Sequence, residues 1–177
     1  MNTIFKDYLT VNKYSKPATK LKLIKGIVVH WVGNPNTTAK QNRDYFENRK
    51  DGKNGYGSAH EIIGLNGDIV ICIPDSEIAY HSGSDNYVEG IQQKLSNYPN
   101  DCTYSIETCH TDWDGKYTTE TFYSLVNRLA ELCRLYKLDP SKDIYRHYDI
   151  TGKECPKYFV KYQHQWDTML KAVRHLT

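Results

Sequence analysis

A mixed α/β (α+β) fold, with a central β-sheet flanked by helices, is what this sequence predicts, and three stretches carry the prediction. "LIKGIVVHW" is a β-branched run of strand length. "AHEIIGLNGDIVICIP" sets two apolar runs on either side of Asn66-Gly67, a dipeptide that favours a tight hairpin turn. Between residues 119 and 138, Phe122, Leu125, Val126, Leu129, Leu132, Cys133 and Tyr136 recur at helical spacing, giving an apolar face to lay on that sheet.

The remaining elements follow in chain order. After the first strand comes the turn-rich "GNPN", and then "TTAKQNRDYFENRK" reads as a helix with a threonine start and a basic finish. "CTYSIETCH" is a strand beyond the hairpin. Alternation puts Ser105, Glu107 and Cys109 on one face of it and Tyr104, Ile106 and Thr108 on the other. "DIYRH" is a short strand that runs into the loop "YDITGKE", where Gly152 and Pro156 argue against a continuous helix. Trp166, Met169, Leu170 and Val173 mark the apolar stripe of a last helix. Helices at both ends of this order can cover both faces of the sheet. With no internal repeat and no low-complexity linker, the expectation is a single domain over residues 1–177, its core spanning about 20–175.

A chain of 177 residues is long enough to bury a proper core. The formal net charge of +2 is too weak to argue for a nucleic-acid partner, which would want a concentrated basic face. Lys13, Lys16, Lys20, Lys22 and Lys25 alternate with apolar and small residues and read as a solvated rim. Five cysteines, an odd number without a C-x-x-C pair, make a full disulfide framework improbable. Cys102 and Cys109 bracket one strand, which holds them too far apart to pair locally, so both are expected as free thiols. Cys72 and Cys133 receive no role. The N-terminus has no apolar export-signal core, and no run approaches the length of a membrane span. A soluble protein made in a reducing compartment, without membrane insertion, is expected.

The chemistry concentrates in "RHYDITGKECP", residues 146–156. His30 ends the first strand, His147 opens this loop and Cys155 closes it, three residue types that zinc prefers. A catalytic zinc uses three protein ligands and leaves the fourth position to water. Other readings stay open on spacing alone. A structural zinc would need a fourth ligand that no nearby residue supplies. Copper would want an axial methionine, and only Met1 and Met169 exist. Cys155 with His147 could be a thiol nucleophile and its base, and each histidine could simply be a satisfied core residue. Glu107 sits mid-strand, where an acid is costly unless exposed or partnered; beside a metal it would serve as general base. Lys153 is either a plain loop lysine or a cation for a developing oxyanion.

"GIVVHW", "SAHEIIGLNGDIVICIP", "AYHSG", "YSIETC" and "RHYDITGKECP", in that order, resemble the zinc-dependent N-acetylmuramoyl-L-alanine amidases of the type-2 amidase, peptidoglycan-recognition-like family. The similarity runs from about Lys20 to Trp166, and the opening stretch is similar to catalytic domains of phage endolysins. The resemblance implies that His30, His147 and Cys155 ligate Zn2+, that Lys153 stabilises the transition state, and that His60 and His81 line the substrate groove. Many members carry a catalytic tyrosine just before the histidine of the second strand; here that slot is Ala59. Other branches use a glutamate on the following strand, which matches Glu107. The implied reaction is hydrolysis of the amide between N-acetylmuramic acid and L-alanine, with bacterial peptidoglycan as partner. A monomer is expected, waiting in the host cytoplasm until the membrane is permeabilised. The alternative within this fold is a peptidoglycan-binding module without catalysis. Such modules often lack the thiolate ligand that Cys155 provides. Tyrosines in polar turns ("GYG", "DNY", "NYP") could add wall affinity, though a turn tyrosine ordinarily packs on its own loop.

Overall fold

The computed structural model describes residues 3–177. Six strands, β1 (Ile4–Lys6), β2 (Gly26–Trp31), β3 (Glu61–Ile63), β4 (Ile69–Ile71), β5 (Thr103–Thr108) and β6 (Ile144–Arg146), form one sheet in the order β1-β4-β3-β5-β2-β6. Among the described residues, the β3–β4 hairpin is the one antiparallel strand pair of this sheet and its other strand pairs are parallel, so the sheet is mixed as the sequence predicts. Gly67 closes that hairpin at φ 81°, a left-handed conformation that glycine adopts without steric cost.

Among the described residues there are six α-helices: α1 (Ala39–Asn48), α2 (Ile91–Lys94), α3 (Thr119–Tyr136), α4 (His147–Thr151), α5 (Lys157–Lys161) and α6 (Gln163–Leu176). On one face of the sheet, Ile27 and Val29 of β2 and Tyr104 and Ile106 of β5 pack with Leu125, Leu129 and Leu132 of α3 and Trp166, Met169 and Val173 of α6. The opposite face carries two smaller cores. Ile62 and Val70 meet Ala39 and Phe46 of α1, while Val28 and Tyr145 meet Ile150 of α4 and Ile91 of α2. Both faces are therefore covered. Helix α1 begins at Thr38, whose side chain accepts from the Gln41 backbone while Gln41 reaches back to the Thr38 N–H. This reciprocal cap satisfies two donors that a helix start otherwise leaves open. The basic finish expected for it lies just beyond, where Arg49–Asp51 continue as a 3-10 turn.

Four readings of the sequence need correction. Residues 4–6 add an edge strand that three exposed side chains without alternation did not announce. Helix α5 is one turn long and likewise carried no periodic signal. The segment after β6 is not a loop throughout: His147 is the first residue of α4, which stops at Gly152 with φ 77°. Lys16 is not part of a solvated rim, because its stem is buried and its ammonium lies 3.1 Å from Glu77. All five cysteines are free and buried, including Cys102 and Cys109.

Candidate metal centre and active site

Parallel pairing of β2 with β5 sets His30 directly opposite Glu107, with Ile62 of β3 opposite Glu107 on its other side. Directly paired residues share a face, so His30 and Glu107 stand side by side near the carboxyl ends of adjacent strands. That is where functional groups collect in parallel sheets. The third strand of the group, β6, hands the chain straight to α4 and thereby delivers His147. Asp149 fixes this junction: its carboxylate accepts from the Arg146 backbone N–H at 2.8 Å and from the Arg146 guanidinium at 2.7 Å. Arg146 in turn donates to Phe159 O and Gln163 Oε1, tying the junction to α5 and α6. After Gly152 the chain doubles back, and the Tyr148 N–H donates to Cys155 O at 2.9 Å. This return places the Cys155 thiol beside the histidine that precedes Tyr148.

His30, His147 and Cys155 consequently meet, each offering one ligand atom, all within 4.8 Å of one another and all buried. The Cys155 Sγ lies 3.7 Å from His30 Nδ1, and the two imidazole centroids are 4.7 Å apart. Tetrahedral bonds of 2.0–2.3 Å put ligand atoms roughly 3.3–3.8 Å apart, so the three need to close only slightly on a metal ion. The His147 Nδ1 atom is buried without a hydrogen-bond partner. An unpartnered buried nitrogen is costly, and a cation would satisfy it. The donor set thus fits a metal.

Burial dominates the electrostatics of this group. It holds His30 well below the usual histidine range, with His147, His81 and Lys153 adding to the effect. His147 is lowered to about 4 by burial and then Lys153. Both rings are neutral and keep a lone pair to offer. Burial and the nearby Glu107 push the Cys155 thiol up to about 12, against the Trp31 backbone and Lys153. A cysteine nucleophile needs a lowered thiol pKa and a base in reach. Here the thiol is raised, and its hydrogen-bonding imidazole is His30, not His147. Those observations weigh against the cysteine-hydrolase alternative, whereas a bound cation would itself favour the thiolate.

Glu107 and Lys153 line the same open groove, of about 890 Å³, whose floor is the three-residue cluster. One Glu107 oxygen is buried with no partner. Burial raises its carboxyl to about 8, and Lys153 pulls against that rise. Lys153 itself is exposed at the groove edge.

The two remaining candidates part company. His60 does not line the groove: it is completely buried and stacks on Tyr104 at 4.4 Å. Its Nδ1 accepts from the Ser105 backbone at 3.0 Å, so Nε2 donates to Glu77 O at 2.9 Å. Both nitrogens are occupied within the fold, which explains why it cannot reach a ligand. His81 does line the groove, and its Nδ1 lies 3.1 Å from His30 Nε2. Ala59 is buried against the α1 core, so nothing at that slot reaches the floor.

The groove walls include residues the sequence did not single out for the site. Arg49 donates to Gly55 O and Tyr56 O at 3.3 Å and to the Tyr45 hydroxyl at 2.8 Å, holding the 54–56 turn against α1. Tyr56 and Tyr80 meet edge to face at 5.4 Å, and Tyr98 joins them on the wall. Two of these tyrosines were visible as exposed turn aromatics. Arg49 was hidden because its role depends on a turn folding back over the helix end.

The family model described as N-acetylmuramoyl-L-alanine amidase matches residues 20–158. The chain is 34% identical over 179 residues to N-acetylmuramoyl-L-alanine amidase CwlL of Bacillus licheniformis, covering 99% of this chain and 48% of that protein. It is 34% identical over 167 residues to N-acetylmuramoyl-L-alanine amidase BlyA of Bacillus subtilis (strain 168), covering 90% of this chain and 44% of the relative. The chain therefore spans about half the length of the curated relatives it matches. Among solved structures, a mutant endolysin from Bacillus subtilis superposes with a TM-score of 0.75 at 21% identity, over 98% of this chain and 99% of that one. At that identity the likeness speaks to the fold.

Proposed function

Since the chain belongs to the N-acetylmuramoyl-L-alanine amidase family, we propose that it is a zinc-dependent hydrolase cutting the amide between N-acetylmuramic acid and L-alanine in peptidoglycan, as an endolysin would. The observation that carries this reading is the convergence of His30, His147 and Cys155 on one point beneath an open groove, with an unpartnered Glu107 oxygen beside them. Residues 1–177 are taken to act as a single catalytic domain, and as a monomer. No helix among the described residues is long and apolar enough to cross a membrane. On this reading, the protein meets the wall after the membrane has been permeabilised.

His30, His147 and Cys155 would hold the zinc. What such an ion supplies is Lewis acidity toward a carbonyl oxygen, a more acidic water, and a positive charge that favours the Glu107 carboxylate. Glu107 carries the proton: its carboxylate takes one from water as the lactyl carbonyl is attacked, then returns it to the departing L-alanine nitrogen. A base-acid of this kind works best with a pKa near the operating pH, and burial has moved Glu107 into that range. The Lys153 ammonium, at the edge of the same groove, faces the charge that develops on the carbonyl oxygen. Tyr56, Tyr80 and Tyr98 give the glycopeptide an aromatic wall to lie against.

The deciding experiment is end-group analysis of purified Gram-positive peptidoglycan with and without a chelator. New L-alanine amino ends without new reducing ends, lost on chelation and recovered with zinc, are the expected result. Wall binding with no new ends would favour the recognition module instead. New ends that survive chelation but vanish when Cys155 is alkylated would make the thiol the nucleophile.

A further inference from the structure

His81 was expected to contact substrate, yet both of its ring nitrogens are already engaged. Its Nε2 lies 3.1 Å from Thr103 Oγ1, and its Nδ1 lies 3.1 Å from His30 Nε2 and 2.8 Å from Ser82 Oγ. The directions of these bonds can be worked out from one end. Thr103 Oγ1 is 2.7 Å from Pro99 O, and a carbonyl can only accept, so the single hydroxyl proton goes there. Thr103 Oγ1 then has only lone pairs left to turn toward the ring, and His81 Nε2 must carry the proton between them. A neutral imidazole has one N–H, so His81 Nδ1 is an acceptor. His30 Nε2, facing it, must therefore be the protonated nitrogen, which leaves the lone pair of His30 on Nδ1. That is the nitrogen that looks toward Cys155 Sγ.

We propose that His81 is a positioning residue: the chain Pro99 O, Thr103, His81, His30 fixes the tautomer of His30 so that Nδ1 is free for the metal. The inference rests on His30 being a zinc ligand. His81 is anchored for this task from behind. The backbone N–H groups of His81 and Ser82 both donate to Asn100 Oδ1, at 3.2 and 2.8 Å, and Asn100 is buried. Thr103 opens β5 on the face that also carries Glu107, so the strand presenting the base also holds the far end of the relay. Outer partners of ligating histidines raise affinity by fixing ring orientation and proton position. The Ser82 hydroxyl, 2.8 Å from His81 Nδ1, shares the same single lone pair with the His30 N–H, consistent with Nδ1 as the acceptor.

Thr103 is the informative place to test this, because it touches neither substrate nor the metal cluster. In 15N-histidine-labelled, metal-free protein, two-bond proton–nitrogen correlation spectra report which ring nitrogen is protonated. The wild type should show His30 and His81 both protonated at Nε2. Thr103→Val removes the acceptor for His81 Nε2 and should spread His81 over both tautomers, while zinc affinity, read by competition with a chromophoric chelator, falls about 10–100-fold. Thr103→Ser keeps the hydroxyl and should restore both readouts. His81→Ala should weaken zinc binding by a similar factor. A His30 proton found on Nδ1 in the wild type would overturn the relay, and so would unchanged zinc affinity in Thr103→Val and His81→Ala together. A wild-type protein that shows the expected tautomers but takes up no zinc would instead overturn the metal assignment of His30, and that titration is read separately from the spectra.

Discussion

Two glutamates stand on neighbouring strands of the sheet and meet opposite fates. Glu61 of β3 is fully buried under α3, where Arg128 Nε reaches its two oxygens at 2.9 and 3.1 Å and the Tyr104 hydroxyl donates at 2.8 Å. Glu107 of β5 faces the other side and keeps one buried oxygen with no partner. Burial pushes both carboxyls up, but Glu61 has Arg128 and Tyr104 pulling back, while only Lys153 at the groove edge opposes the rise at Glu107. The Arg128 guanidinium resists burial and is held charged by Glu61. The same residue type, one strand apart, is thus a satisfied structural group on one face and an unsatisfied one, the proposed proton carrier, on the other. Satisfaction of the side chain, more than its depth, separates the two roles.

The largest effect should come from Glu107→Gln, which preserves shape but cannot carry a proton. Release of L-alanine ends should fall about 10²–10⁴-fold, the span general acid–base groups contribute, with the circular dichroism spectrum unchanged. Near-normal turnover in this variant would erase the proposed difference between the two acids. Glu61→Gln tests the other side. It leaves the largely buried Arg128 guanidinium with Glu131, at 2.8 Å, as its one carboxylate partner, and should lower stability in a urea titration by on the order of 3 kcal/mol, the low end for breaking a buried pair, while turnover per folded molecule is retained. A matching loss of chemistry there would mean that the division is false.

Metal removal should be smaller in energy and selective for the Glu107 face. Zinc at a hundred times its dissociation constant stabilises by about 2.7 kcal/mol, so excess chelator should lower the melting temperature of wild type and of Glu61→Gln alike, and that of Glu107→Gln by less, because the ion and the Glu107 carboxylate favour each other. The smallest effect sharpens the comparison through pH. In metal-free protein the Glu107 carboxyl keeps its proton up to about 8, against 4.5 when unfolded. Folded protein therefore binds more protons than unfolded protein across that window, and this group's contribution falls as pH rises from about 4.5 to about 8. Its groove-facing side tempers the penalty, so Glu107→Gln should gain on the order of 1–2 kcal/mol relative to wild type at pH 9 and nothing at pH 4. A gain that is flat with pH would show that folding does not shift the Glu107 carboxyl at all.

Much of this was legible in the sequence because it rests on period and punctuation. The β-branched run of β2, the Asn66-Gly67 turn and the stripe of α3 each announce an element whose burial the structure repeats. The strand alternation that put Glu107 on the face opposite Ile106 was a local property and holds. What was not legible depends on long-range partners. His60 and His81 both lie next to apolar residues, and nothing local says that Ser105 and Glu77 will occupy both nitrogens of the first. Nor does spacing reveal that Thr103 and Pro99 will orient the second. Lys16 looked like its solvated neighbours until Glu77 arrived from 61 residues away.

His30 and Cys155 touch across 125 residues of chain. During synthesis the ribosome makes the first of them early and the last only after all six strands of the sheet have been produced. A chain broken off anywhere before residue 155 carries at most two of the three converging groups. Synthesis as far as residue 155 is thereby written into the cluster itself, and a product cut short before that point would lack the full set.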